Sequence, residues 1–183
     1  FFMKKLIKYL VILSLVFTSL GVMVVFLWQA FEKKDVADSL YNAEKFFNEK
    51  KYPEAKQAIQ EVLTRDNLNE KALRLSAEIL EKEYNFPLAA LLWKRLISLN
   101  PLDESLVYRY VAALNAARNF RETALYLEKR KKAGKLLAPE VLELARAEFE
   151  MGNFKEAERL FGDLDKGLVN QDDYSLLSAD LRL

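Results

Sequence analysis

The sequence predicts an all-α chain in which an N-terminal transmembrane helix leads into an array of repeated helical units. Two observations carry this. An uncharged run from Tyr9 to Phe31 lies between charged flanks, and an aromatic-to-small pattern recurs four times at a spacing of 34 residues. The first feature needs lipid to bury it. The second needs copies of itself, because a repeated helical unit exposes an apolar face that only a stacked neighbour covers.

A chain of 183 residues accommodates one domain and an appendage. Its net charge of +1 gives no electrostatic case for nucleic acid. It holds no cysteine and no histidine, which removes disulfides, thiolate chemistry, Cys/His zinc sites and imidazole catalysis. None of its 5 glycines falls in a phosphate-cradling pattern. The reading is therefore a non-enzyme with no catalytic residue, no cofactor, no metal and no small-molecule substrate.

Lys4, Lys5 and Lys8 precede the apolar run, and Glu32, Lys33 and Lys34 close it. As a helix its 23 residues would extend ~35 Å, enough for a hydrocarbon core of ~30 Å. Tyr9 and Trp28 lie near its two ends, at headgroup level. Ser19-Leu20-Gly21 offers a signal-peptidase-like site, but Val22 to Trp28 continues the apolar run past it, as a cleaved peptide would not need. Three flanking lysines against two favour a cytoplasmic N-terminus. The expectation is a single-pass protein of a bacterial inner membrane, with its repeats in the periplasm. Phe1-Phe2 stands before Met3, so the chain either starts natively at Met3 or continues further upstream.

The repeat is anchored by Tyr52-Pro53-Glu54-Ala55, Phe86-Pro87-Leu88-Ala89, Phe120-Arg121-Glu122-Thr123 and Phe154-Lys155-Glu156-Ala157. This phasing sets an N-terminal segment 1–35 and units at 36–69, 70–103, 104–137 and 138–171. Small residues recur where helices approach closely: Ala43, Ala77, Val111 and Ala145, then Ala55, Ala89, Thr123 and Ala157. Larger groups fill the space between them: Phe46, Leu80, Leu114, Ile59, Trp93, Leu127 and Phe161. Asn85, Asn119 and Asn153 suit the turns. Pro53 and Pro87 sit in the first turn of a helix, and Pro101 follows the end of one. Arg130 and Lys135 break the pattern, which predicts a longer or bent second helix in the third unit. Glu148 stands where a large apolar residue is expected, with Phe149 beside it.

This pattern resembles the tetratricopeptide repeat over Val36 to Gln171, with partial extension into the tail. The resemblance implies a right-handed α-solenoid of helix–turn–helix units. Residues 172–183 fall in phase as the start of a fifth repeat or a capping helix. Leu176, Leu177, Leu181 and Leu183 favour an array that continues.

The resemblance also implies a groove lined by the first helix of each unit, here Leu40, Glu44, Phe47, Arg74, Glu78, Tyr108, Asn115, Leu142, Arg146 and Phe149. Phe47, Tyr108 and Phe149 are the expected partner anchors. Of the positions matching the family's chaperone-binding carboxylate clamp (Leu40, Glu44, Leu75, Ser105 and Arg109), only Arg109 fits. Lys129, Arg130, Lys131, Lys132 and Lys135 form a basic cluster, read either as a solvated helix end or as contact with an anionic partner. The acidic pairs Glu148/Glu150 and Asp172/Asp173 diverge on a helix and do not suit catalysis.

Proteins of this layout resemble scaffold components of exopolysaccharide synthesis and export, of the Pel, cellulose or alginate type. The function expected is thus a membrane-anchored scaffold for protein–protein interaction in a bacterial envelope complex. Its partners would be other proteins of the complex and the bilayer, without nucleic acid. The alternative is an anchored periplasmic chaperone or assembly factor, similar to translocon-associated or cytochrome c maturation proteins.

Overall fold

The structure, a computed structural model, describes residues 2–164 and 179, and the side chains of 18–29, 34–164 and 179. Eight helices and no strand occur among the described residues: α1 (Phe2–Asn48), α2 (Tyr52–Arg65), α3 (Glu70–Lys82), α4 (Phe86–Leu99), α5 (Glu104–Ala116), α6 (Phe120–Lys132), α7 (Ala138–Glu150) and α8 (Phe154–Gly162). This is an all-α array of helix–turn–helix pairs, compatible with a tetratricopeptide-like solenoid. The expected fifth-repeat or capping helix at 172–183 lies outside the described residues, Ala179 apart.

Two compact units, Phe1–Ala72 and Leu73–Leu183, divide the chain within α3. In the first, α1 packs on α2. Ala43 and Ala55 are fully buried, and such small residues let two backbones approach closely. Ser39 donates to Glu61 at 3.1 Å, and Arg65 pairs with Asp35 at 2.5 Å. α1 is unbroken across residues 35 and 36, so the leading helix of the first pair is the C-terminal stretch of a 47-residue helix.

Among the described residues no helix is long and apolar enough to cross a membrane. The expected transmembrane segment, 9–31, lies within α1, but its side chains are described only for 18–29; the rest fall outside the described residues. The described residues therefore do not show a transmembrane span.

In the second unit α4 meets α5 and α6 meets α7, so successive pairs cover one another's faces. Val107, Leu127, Leu144, Leu160 and Phe161 belong to one buried cluster spanning α5 to α8. Trp93 is fully buried, and its indole Nε1 donates to Glu81 at 2.7 Å, tying α4 to α3.

The four turns inside the pairs share one geometry. Lys50, Tyr84, Arg118 and Gly152 all have positive φ, between 54° and 83°, and stand 34 residues apart. In each turn that residue's N–H donates three residues back, and the next N–H donates five back: Lys50 to Phe47 and Lys51 to Phe46, through to Gly152 to Phe149 and Asn153 to Glu148. This is a Schellman closure, which satisfies the orphan carbonyls of a helix end. The asparagines singled out in the sequence come one position later, where they start the second helix.

The same motif corrects the expectation for the third unit. α6 is neither lengthened nor displaced by Lys135; it ends at Lys132 with 13 residues, the same length as α5. Gly134 (φ 67°) closes it, donating to Lys131, while Lys135 donates to Arg130.

Three of the four turns thus place a side chain where glycine is the relaxed choice. Lys50→Gly is expected to stabilise the chain by about 0.5–1 kcal/mol, and Gly152→Ala to destabilise it by about 1 kcal/mol. Denaturant unfolding followed by helical circular dichroism checks both signs.

Candidate functional site

The first helices of the pairs carry all of the groove residues expected from sequence. In the second unit their polar side chains turn on one another. Arg109 on α5 reaches Glu78 at 3.2 Å and Glu81 at 3.0 Å on α3. Its guanidinium lies 5.0 Å from the Trp93 ring centroid, within cation–π range. Arg74 lies 5.9 Å from the same ring and pairs with Asp103 at 3.4 Å. Asp103 in turn caps α5, accepting from the Ser105 N–H at 3.0 Å. Its carboxyl is held below its ordinary range chiefly by the Ser105 hydroxyl, with Arg74 contributing. Arg109, the one residue matching the carboxylate clamp, is therefore committed within the protein.

The ladder continues along the array. Asn115 donates to Glu143 on α7 at 2.6 Å and accepts from the buried Thr123 hydroxyl at 2.8 Å. Arg146 pairs with Glu143 at 3.0 Å. The bonds of Arg109 to α3 and of Asn115 to α7 join neighbouring pairs and fix their register, while Arg146 and Glu143 pair within α7. Every buried side-chain nitrogen and oxygen among the described residues has a partner.

The remaining groove candidates separate by burial. Leu142 is only 3 % exposed and belongs to the core cluster, not to a surface groove. Phe149 packs against that cluster and edge-on to Phe154, with centroids 5.4 Å apart. In the first unit, Leu40 is half-buried and Phe47 lies 6.1 Å from Tyr52. Tyr108 differs from all of these. It is 67 % exposed on α5, next to the Arg109 knot.

The basic cluster also divides. Arg130 is turned inward, its side chain 11 % exposed, and holds Glu104 at 2.5 Å and Glu140 at 3.0 Å. It also donates to the Lys135 carbonyl at 3.0 Å. It replaces an apolar residue by bridging the starts of α5 and α7. Glu140 uses its remaining capacity to accept the Leu137 N–H at 3.1 Å, in place of a capping side chain. Lys131 pairs with Glu128 at 3.1 Å, whereas Lys129, Lys132 and Lys135 are exposed.

Sequence reasoning did not single out the outer surface of the second helices. A groove of about 440 Å³ beside it, where α4 meets α5 and the turn into α6, is lined by Leu91, Lys94, Tyr110 and Glu122, among others. Glu122 accepts from Lys94 at 2.9 Å and from the Tyr110 hydroxyl at 3.0 Å. The Lys94 hydrogen bond is the main cause holding the Glu122 carboxyl below its ordinary range, and burial pushes the Tyr110 phenol up to about 12. The signal was present: Leu91 and Leu125, both exposed, stand 34 residues apart. No group of three or more carboxylates among the described residues is arranged to hold a metal ion.

A scan of protein-family models returns no match to this chain, and a search of curated proteins returns none either.

The inward turn of Arg130 sets a stability contrast with its neighbour in the same helix. Arg130→Ala strands Glu140, only 12 % exposed, without its cation and is expected to cost about 3 kcal/mol. Lys132→Ala is expected to stay within about 0.5 kcal/mol. Urea unfolding of the two variants measures the difference.

Proposed function

We propose that the chain is a membrane-anchored scaffold of the tetratricopeptide type, presenting a protein-binding face within a bacterial envelope complex. The observation that carries this reading is Tyr108: a large aromatic, exposed, on a face whose polar neighbours are already engaged with one another. A helix face with satisfied polar groups gains little by recruiting a small charged ligand. An exposed, rigidly based tyrosine is the kind of anchor that dominates protein interfaces.

The anchor rests on a second observation. Leu20 and the unbroken run Val22 to Trp28 are all more than half exposed, on every side of α1. A helix apolar all round needs a nonaqueous environment to cover it, and the uncharged sequence from Tyr9 to Phe31 is long enough for a bilayer. With three lysines before it and two after, this reading puts the repeats in the periplasm. The layout suits a component that holds proteins of exopolysaccharide synthesis or export at the inner membrane.

Two measurements test the two halves. The chain is expected to stay with membranes through alkaline carbonate extraction, and deletion of 9–31 is expected to release it. Tyr108→Ala is expected to weaken partner affinity roughly five- to thirtyfold, an interface loss of about 1–2 kcal/mol, while leaving the thermal melt unchanged. Unaltered recovery of copurifying membrane proteins with that variant would remove Tyr108 from the interface.

A further inference from the structure

The loops between successive pairs of the second unit carry a feature that the scaffold reading does not use. Loop 100–103, between α4 and α5, and loop 133–137, between α6 and α7, are brought together by Arg130, which holds Glu104 at the start of α5 and Glu140 at the start of α7. Leu102, at the tip of the first, is 92 % exposed, more than any other large apolar side chain described. Leu137, at the end of the second, is 51 % exposed. Turn tips ordinarily carry Gly, Asn, Asp or Ser. Leu68 stands at the equivalent loop position of the first unit and is also exposed.

The charges around these leucines are unbalanced. Asp103 is occupied by Ser105 and Arg74, and Glu104 and Glu140 by Arg130. Lys129, Lys132 and Lys135, in the last turn of α6 and the loop after it, are exposed and have no carboxylate partner among the described residues. The edge therefore offers two exposed leucines and three exposed lysines, set against the one negative charge that Arg130 leaves unmatched on Glu104 and Glu140.

We propose that this edge rests on an anionic lipid surface, with Leu102 and Leu137 entering the headgroup region and the three lysines drawing it there. Amphipathic membrane contacts combine apolar insertion with basic attraction in this way. An acidic peptide would use the lysines but leave Leu102, at its loop tip, and Leu137, at the start of α7, in water. Each lysine near such a surface contributes roughly fivefold in partitioning, so the three, less the one unmatched acidic charge, contribute roughly 25-fold. The proposal is compatible with the anchor under Proposed function but does not require it.

The chain has no cysteine, so a single one can be introduced and labelled with an environment-sensitive fluorophore. The 183-residue chain carrying Leu102→Cys or Leu137→Cys, labelled and mixed with phosphatidylglycerol-containing vesicles, is expected to show a blue shift and quenching by brominated lipid. A label at Tyr84→Cys, in the turn at the far end of its pair, should show neither. Lys129→Glu, Lys132→Glu and Lys135→Glu together, or pure phosphatidylcholine, should abolish the signal at 102 and 137. Labels at 102 and 137 that stay in water while the chain floats with anionic lipid overturn the proposal and leave the anchor standing. If the chain fails to float with phosphatidylcholine, the anchor is wrong, and quenching in anionic lipid alone still supports the edge. A shift induced equally by polyglutamate, without bromine quenching, assigns the surface to acidic peptides and overturns the lipid assignment.

Discussion

A pair of helices joined by a tight turn buries one face internally and leaves a second exposed, and covering that second face on the next pair is the constraint on which this chain depends. It explains why Ala89, Ala145 and Ala157 are fully buried: close helix approach excludes anything larger. It explains the four identical Schellman turns, since a stacked array requires every pair to close at the same angle. It also explains why charge on the first helices is directed at neighbouring helices. Arg109 to Glu78 and Glu81, and Asn115 to Glu143, are bridges between successive pairs.

That allocation limits what the surface can recognise. Arg74, Arg109, Asn115 and Arg146 each have intramolecular partners, so the array's polar side chains specify register before they specify a ligand. Arg130 is the clearest case, a cation at a core-facing position made tolerable by two carboxylates and a carbonyl. What remains exposed is mostly apolar or aromatic: Tyr41 and Tyr108 on the first helices, Leu91 and Leu125 on the second.

The architecture of pairs was legible because it rests on short-range rules acting four times over. Aromatic-to-small spacing, prolines in first turns and an apolar rhythm all read directly from the chain. The left-handed turn residues were less legible: Lys50, Tyr84 and Arg118 are not residues that announce positive φ, and only Gly152 does. The site was legible in part. Helix face follows from phase, but burial depends on what the next pair places opposite. Leu142, one of the groove candidates, therefore belongs to the core, and Arg130, one of a run of cations, is enclosed by acids that lie 26 and 10 residues away in sequence. Pairing over such distances leaves no local signature.

The proposed role is the holding of another protein on the first-helix face around Tyr108. Site-specific photocrosslinking in intact cells tests it most directly, with a benzophenone side chain at position 108 and, as comparison, at 125 on the second-helix face. A discrete crosslinked protein from the membrane fraction is expected at 108, with little or none at 125. Adducts formed at 125 but not at 108 would contradict it.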